Sequence, residues 1–320
     1  MAAKRKEPPA PGRTAHKRPH LKRRKPTVTI IGAGRLGTAL ALALYRHGYT
    51  VEAVVARRIT HARRAARLIA SGPRALTDRQ LDLLPPSDLL FITTPDDAVE
   101  RSARDLLAAS VSTIDEERTA LHTSGALSST VLSPLREAGF HIGSMHPLVS
   151  VSDPLAGALS LEKAFYCVEG DAAASRVARA IVRSLGGHSF SISTRDKALY
   201  HAAAVMASGH ATALFDLAIE MLTHCGLNAR RARAVLMPLL RSTIENLSTH
   251  DPAGALTGTF ARADTATVRR HLAALRNLSL HDALAAYVLL GRRSIRLAKL
   301  KGADRKELER IALALKESEA

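Results

Sequence analysis

The residues of this 320-residue chain best spaced for chemistry are three glycines, Gly32, Gly34 and Gly37. They directly follow the β-branched run Val28-Thr29-Ile30-Ile31 and open the apolar stretch Leu36–Arg46. In a strand–turn–helix setting this spacing is a phosphate cradle. Gly32 permits the tight turn, Gly34 lets the backbone approach a pyrophosphate, and Gly37 allows close packing of helix on strand. The free amides at the helix start, around Arg35, Leu36 and Gly37, would hold phosphate oxygens with the help of the helix dipole. The next strand ends in Val54-Val55-Ala56-Arg57-Arg58, where an acid would be expected to bind a ribose 2′-hydroxyl. Two guanidinium groups and no acid suit a 2′-phosphate instead. The expected cofactor is therefore NADP, with NADPH preferred over NADH. Thr94 and Pro95, closing the strand Leu89–Thr93, are expected to line the nicotinamide side.

A second set of polar residues lies within Asp196–Thr223. On a helix, Lys197, His201, Ser208 and Thr212 fall within about 60° of one another. The other positions of that segment are mostly Ala, Val, Leu, Met and Phe, so it reads as a buried core helix rather than a membrane span. Buried polar groups need partners or a ligand, which places the stripe in a cleft between a helical domain and the cofactor domain. There Lys197, its pKa depressed by burial, would protonate or polarise a carbonyl oxygen as hydride arrives. His122 and Ser124 follow the strand Thr119–His122, and His146 follows Phe140–Gly143, all at strand carboxyl ends on the cofactor side. The candidate catalytic residues are Lys197, His201 and Ser124. The candidate substrate contacts are His146, Ser208, His122 and Thr212. His210 falls on the opposite face and reads as a packed core histidine. These histidines show no HxxxH or HExxH spacing, so no metal site is expected.

Strands and helices alternate from Val28 to Ile192, and no strand pattern remains beyond Arg195. The fold class expected is α/β, a Rossmann-type doubly wound sheet followed by an all-α C-terminal domain. Residues 1–25 form a basic arm, 26–194 the NADP-binding domain (divisible near 145), and 195–320 a helical substrate and dimerisation domain. Pro238 is expected to kink or break its helix. Asp264 and Ser279 are expected helix N-caps.

The net charge of +17 is unevenly spread. The arm carries ten Lys/Arg against Glu7, a net +9, with no apolar periodicity, and reads as solvated and disordered. Any nucleic-acid contact would run through it; an aromatic content of 3% without Trp argues against base stacking elsewhere. Two cysteines, Cys167 and Cys225, make no disulfide framework, and the arm has no apolar signal core. A cytoplasmic setting without membrane attachment is expected.

Several of these segments together resemble a bacterial family that joins a Rossmann-like domain to a C-terminal domain of unknown function (DUF 2520). The resemblance runs through His122–Leu127, Gly143–Leu148, Lys197–His201, Ala207–Ala211 and Leu256-Thr257-Gly258, and covers about residues 27–275. Thr259–Asp264 departs from that family's usual Pro and Gly, so no role is carried to Arg262 or Asp264. More distantly, the chain is similar to the 6-phosphogluconate dehydrogenase-like superfamily. Met206–Ala211, Phe215 and Cys225-Gly226-Leu227 resemble the dimer-forming helices of pyrroline-5-carboxylate reductase. Lys197 and His201 resemble the Lys-x-x-x-Asn pair of β-hydroxyacid dehydrogenases and ketopantoate reductase, with His in place of Asn. Ser124-Gly125 resembles the substrate-binding serine of the hydroxyacid enzymes. The resemblance implies an NAD(P)-dependent reductase, dimeric through its helical domain. The function expected is hydride transfer to or from a small anionic oxo or hydroxy acid or an imine. The alternative is a non-catalytic NADP-binding regulatory or scaffold protein.

Overall fold

The computed structural model describes residues 24–109 and 118–319. Most of the basic arm therefore lies outside the described residues. Contacts divide the chain into two units, Met1–Ala202 and Ala203–Ala320.

The first unit alternates strand and helix: β1 (Val28–Ile31), α1 (Arg35–Arg46), β2 (Val51–Ala56), α2 (Ile59–Arg67), β3 (Arg74–Thr77), β4 (Leu89–Ile92) and α3 (Asp96–Ala108). It continues with β5 (Thr119–His122), α4 (Ser133–Glu137), β6 (His141–Pro147), α5 (Pro154–Leu161), β7 (Phe165–Gly170), α6 (Ala172–Ser184) and β8 (His188–Phe190). One eight-stranded sheet results, in the order β3-β2-β1-β4-β5-β6-β7-β8. Every pairing is parallel except β6 with β7. The chain reverses direction across the sheet between β1 and β4, which sets a ligand crevice at their carboxyl ends.

Both faces of the sheet are covered, so its central strands are apolar without alternation. Ile30 faces one core, with Leu40 and Leu44 of α1, Leu161 of α5 and Ile181 of α6. Ile31, one residue on, faces the other, with Val99 and Leu106 of α3 and Leu135 of α4. Two elements are not evident in the sequence. The edge strand β3 begins with an exposed Arg and is only four residues long. Helix α5 is announced by Asp153, whose carboxylate accepts from the amides of Leu155 and Ala156, with Pro154 at its first position.

The second unit is helical, as the sequence pattern implies. After α7 (Lys197–Val205), which ends just inside it, come α8 (Ala211–His224), α9 (Ala229–Thr249), α10 (Pro252–Ala255), α11 (Gly258–Ala261), α12 (Thr265–Asn277), α13 (His281–Leu300) and α14 (Arg305–Glu317). Its core gathers Val268 and Leu272 from α12, Val288 from α13, and Leu308, Ile311 and Leu315 from α14. Pro238 stays within α9 rather than ending it. Asp264 caps α12 through the Thr267 amide, whereas Ser279 has φ 53° and leaves the cap of α13 to Leu280.

The apolar segment Ala198–Leu222 is not buried. It belongs to the helical run Thr194–His224, whose most apolar window has a mean hydropathy of 1.4 and no buried residue. Leu199, Met206 and Leu214 are all exposed there, and so is His210, which is no core histidine. Apolar periodicity marks a face that wants a cover but does not say whether the same chain supplies it.

Candidate functional site

The turn after β1 is built as the glycine spacing demands. Gly32 has φ +109°, and a Cβ there would meet the Thr93 carbonyl carbon at 2.8 Å. At Gly37 a Cβ would lie 2.2 Å from the Gly32 oxygen and 2.3 Å from Thr93 Oγ1, so only glycine lets α1 start this close to the sheet. Thr93 Oγ1 donates to that same Gly32 oxygen at 2.7 Å, tying the turn to the end of β4. Gly34 differs: nothing lies within 4 Å of its missing Cβ.

The open space above Gly34 faces unsatisfied donors. Gly34 caps α1 without a side-chain bond, and the first turn holds no acid. Among the described residues, the amides of Arg35, Leu36 and Gly37 have no acceptor; the first helical bond runs from Thr38 to the Gly34 oxygen. Thr94 Oγ1 is enclosed and has no hydrogen-bond partner among the described residues. Arg57 and Arg58, exposed at the end of β2, enter no ion pair among the described residues, and α2 has no acid in its first turn. A pyrophosphate fits the open amides, and a 2′-phosphate fits the two guanidinium groups. Pro95 caps α3 beside Thr94 and is exposed.

The polar residues of β5, β6 and α7 form a second cluster inside the first unit. Lys197 is 1% exposed, and its ammonium donates to Ser144 Oγ at 2.7 Å, to Glu169 Oε1 at 3.3 Å and to the Ser124 carbonyl at 3.4 Å. Glu169 is itself 8% exposed and accepts at 2.7 Å from both the amide and the hydroxyl of Ser129. Burial pulls the Lys197 pKa down, opposed by Glu169. The depressed pKa expected for Lys197 is present, but all three of its protons are used internally. So enclosed, the ammonium meets Ser144, Glu169 and the Ser124 carbonyl.

Ser124 and His122 are likewise engaged within the fold. Ser124 Oγ accepts from the amides of Ala126 and Leu127 and shapes the loop. His122 is fully buried, its Nδ1 accepting from the Ser124 amide at 3.1 Å. Burial and the Lys197 charge push its pKa down to about 3, which keeps the imidazole neutral.

His146 keeps an open atom. Its Nδ1 lies 2.7 Å from the Tyr200 hydroxyl. Its Nε2 makes no hydrogen bond among the described residues and is not among the enclosed polar atoms. His201 stacks edge-on with it, ring centroids 5.7 Å apart. The Ser124-Gly125 loop closes against both rings: a Cβ on Gly125 would lie 2.8 Å from His146 Nε2 and 2.5 Å from His201 Cδ2. Burial, His201 and Lys197 lower the His146 pKa to about 4, while burial raises that of Tyr200. Ser208 and Thr212 are exposed in the second unit, and Thr212 Oγ1 donates to the Ser208 carbonyl. A π-helical turn over Met206–His210 breaks the 3.6-residue period on which their alignment with Lys197 rested.

The sequence reading missed Glu169, Ser129, Ser144 and Tyr200. Tyr200 lies three residues after Lys197, and Ser144 two before His146 on the same strand face, a signal available from spacing alone. Glu169 and Ser129 carry no such signal. No group of His, Cys, Asp and Glu suited to a metal occurs among the described residues.

Comparison with known proteins fits this geometry. Residues 11–147 match the family model of a Rossmann-like domain, and residues 164–294 match a domain of unknown function, DUF2520. The chain is a Rossmann-like protein with a DUF2520 domain. A search of curated proteins found no match. Among solved structures, this Rossmann–DUF2520 chain resembles a candidate NADP oxidoreductase, BF3122, from Bacteroides fragilis, with 23% identity over 85% of this chain and 98% of that one, TM-score 0.68. It also resembles protein TM1727 from Thermotoga maritima, with 22% identity over 86% and 99%, TM-score 0.65. A reductive aminase from Aspergillus terreus, in complex with NADPH and ethyl-5-oxohexanoate, shares 16% identity over 92% and 93%, TM-score 0.53. At these identities the likeness is one of fold.

Proposed function

We propose that this protein is an NADP-dependent oxidoreductase that moves a hydride to or from a small anionic oxo or hydroxy acid or an imine. The observation that carries the reading is the phosphate cradle: open space at Gly34, free amides at Arg35, Leu36 and Gly37, and unpaired Arg57 and Arg58 where NAD sites place an acid. The NADPH-bound state of the reductive aminase of similar fold supports it. Thr94 and Pro95 would line the nicotinamide, which would supply the hydride when bound. His146 offers the open ring nitrogen that meets the substrate, His201 packs beside it, and Ser124 and Lys197 hold the loop and strand that position it. A titration of the protein with NADPH and NADH tests the reading. NADPH binding tighter by about tenfold or more, lost in Arg57→Ala/Arg58→Ala, is expected; equal affinities overturn the NADP assignment.

The second reading is an NADP-binding regulatory or scaffold protein without turnover. The enclosure of Lys197 favours it, because its ammonium is bound to Ser144 rather than free at the site. Absence of NADPH oxidation across a panel of oxo acids and imines, with NADPH binding intact, would select it. We further propose a cytoplasmic homodimer formed through the helical domain. Its support is the exposed apolar surface of Leu214, Val235, Leu239 and Leu289, and the two free cysteines.

A further inference from the structure

The two halves of the proposed cofactor site come from different strands. The open amides belong to the turn after β1, and Thr94 and Pro95 follow β4. A dinucleotide that touches both gains fully from the second contact only where the two are held at a fixed spacing, because the first contact then brings the second into place. One side chain joins them, that of Thr93.

We propose that Thr93 is a positioning residue for the dinucleotide: its hydroxyl ties the β1–α1 turn to the end of β4 and so sets the pyrophosphate cradle and the nicotinamide side in register. This rests on the reading of the turn as an NADP site. Thr93 Oγ1 donates to the Gly32 oxygen at 2.7 Å and lies 3.2 Å from the Ile31 oxygen. The Gly32 oxygen also accepts from the Gly34 amide at 2.7 Å, so both of its lone pairs are engaged. That carbonyl is thereby held toward Thr93; turned toward a phosphate, its oxygen would repel it. The earlier amides of the turn are spent as well. Gly32 and Ala33 both donate to the Val55 oxygen of β2, at 2.9 and 2.8 Å. The donors open to a phosphate therefore begin at Arg35, and their place depends on where Gly32 is held.

Packing reinforces the bond. A Cβ on Gly32 would meet the Thr93 carbonyl carbon and the Thr94 nitrogen, each at 2.8 Å, so the turn rests on the peptide that leads into Thr94. A Cβ on Gly37 would lie 2.3 Å from Thr93 Oγ1, so the hydroxyl also sits against the first turn of α1. The Thr93 amide donates to the Ile31 oxygen at 2.8 Å, which fixes the backbone of β4 against β1 independently of the side chain. Thr94, one residue on, still holds an enclosed hydroxyl with no hydrogen-bond partner among the described residues, a polar group left for a ligand to meet. Valine at position 93 would put a methyl carbon where the hydroxyl lies 2.7 Å from an oxygen, closer than such atoms pack. Serine keeps the donor, and alanine removes it without adding an atom.

The test compares the full-length parent with Thr93→Ala and Thr93→Ser, by binding rather than turnover. NADPH spans both halves of the site, whereas adenosine 2′-phosphate presents only the group expected at Arg57 and Arg58. Thr93→Ala should weaken NADPH by about five- to tenfold and leave adenosine 2′-phosphate at parent affinity, and Thr93→Ser should restore NADPH. Hydrogen exchange at the Gly34 amide, whose acceptor is the same Gly32 oxygen, reports the turn without any ligand; it should quicken by about fivefold in Thr93→Ala and stay at the parent rate in Thr93→Ser. Parent affinity for NADPH in Thr93→Ala overturns the proposal, as does parent-like exchange at Gly34. An equal loss for both ligands overturns it too, because a general loosening of the fold would act on each. A parent chain that does not bind NADPH sinks the NADP reading and the proposal with it, whereas equal NADPH binding by the parent and Thr93→Ala sinks the positioning role alone.

Discussion

At the residue scale, the fate of Lys197 turns on three acceptors, Ser144 Oγ, Glu169 Oε1 and the Ser124 carbonyl, none of which a helical projection reveals. Removing one member of a buried pair strands the other. Lys197→Met should therefore destabilise the fold by about 3–5 kcal/mol in urea unfolding. Adding Glu169→Gln should recover part of that loss. A Lys197→Met protein as stable as the parent, deficient only in turnover, would restore the lysine as proton donor. His122 and His146 give a pH dependence. Folded, they titrate at about 3 and about 4; unfolded, both return to the ordinary histidine value near 6.5. The unfolded chain thus binds more protons below that pH, so stability is complete above about 6.5 and falls as the pH drops through the window below it. The loss by pH 5 is roughly 2 kcal/mol for each ring. Urea midpoints at pH 7 and pH 5 should show it, with the decrement about halved in His122→Asn. A flat profile would mean that the rings are protonated in place.

At the scale of elements, the glycines of the β1–α1 turn have separable jobs. Gly37 is a packing position, because a Cβ there meets the Gly32 oxygen at 2.2 Å. Gly34 has φ −78°, which any residue adopts, and open space around it. Gly37→Ala should lower the thermal midpoint, costing about 1–3 kcal/mol, and weaken NADPH binding with it. Gly34→Ala should leave the midpoint unchanged and weaken NADPH alone. Equal affinity in Gly34→Ala and parent would remove the pyrophosphate from this turn. The β1–α1–β2 unit was legible because short-range spacing fixes it. The same holds for the run of β5 and the long helices. Edge strand β3 was not, because its burial depends on β2 beside it rather than on its own pattern. The polar stripe failed at the π-helical turn Met206–His210, where one widened turn resets the phase of everything after it.

At the scale of the whole molecule, one apolar surface is uncovered. Leu214 and Leu217 of α8, with Leu290 and Tyr287 of α13 and Phe260, line an apolar pocket of about 260 Å³ in the helical unit. Val235, Leu239 and Ile244 of α9 stand exposed as well. A second copy burying these helices predicts a dimer by light scattering and sedimentation. Leu239→Glu together with Leu214→Glu should shift it toward monomer; a monomeric parent would refute the assembly. Local spacing along the chain is enough for the alternation of strand and helix, the glycine turn, the pair of arginines after β2 and the helical second half. Each rests on neighbours in the chain, on a period of two or 3.6, or on the backbone freedom of a residue type. Which polar groups are spent on one another depends on long-range packing. Glu169 and Ser129 are 40 residues apart, and Ser144 and Lys197 are 53 apart. Whether a buried lysine faces a substrate or an ion-pair partner depends on what the fold brings beside it, because a charge out of water must be met by whichever group comes within reach.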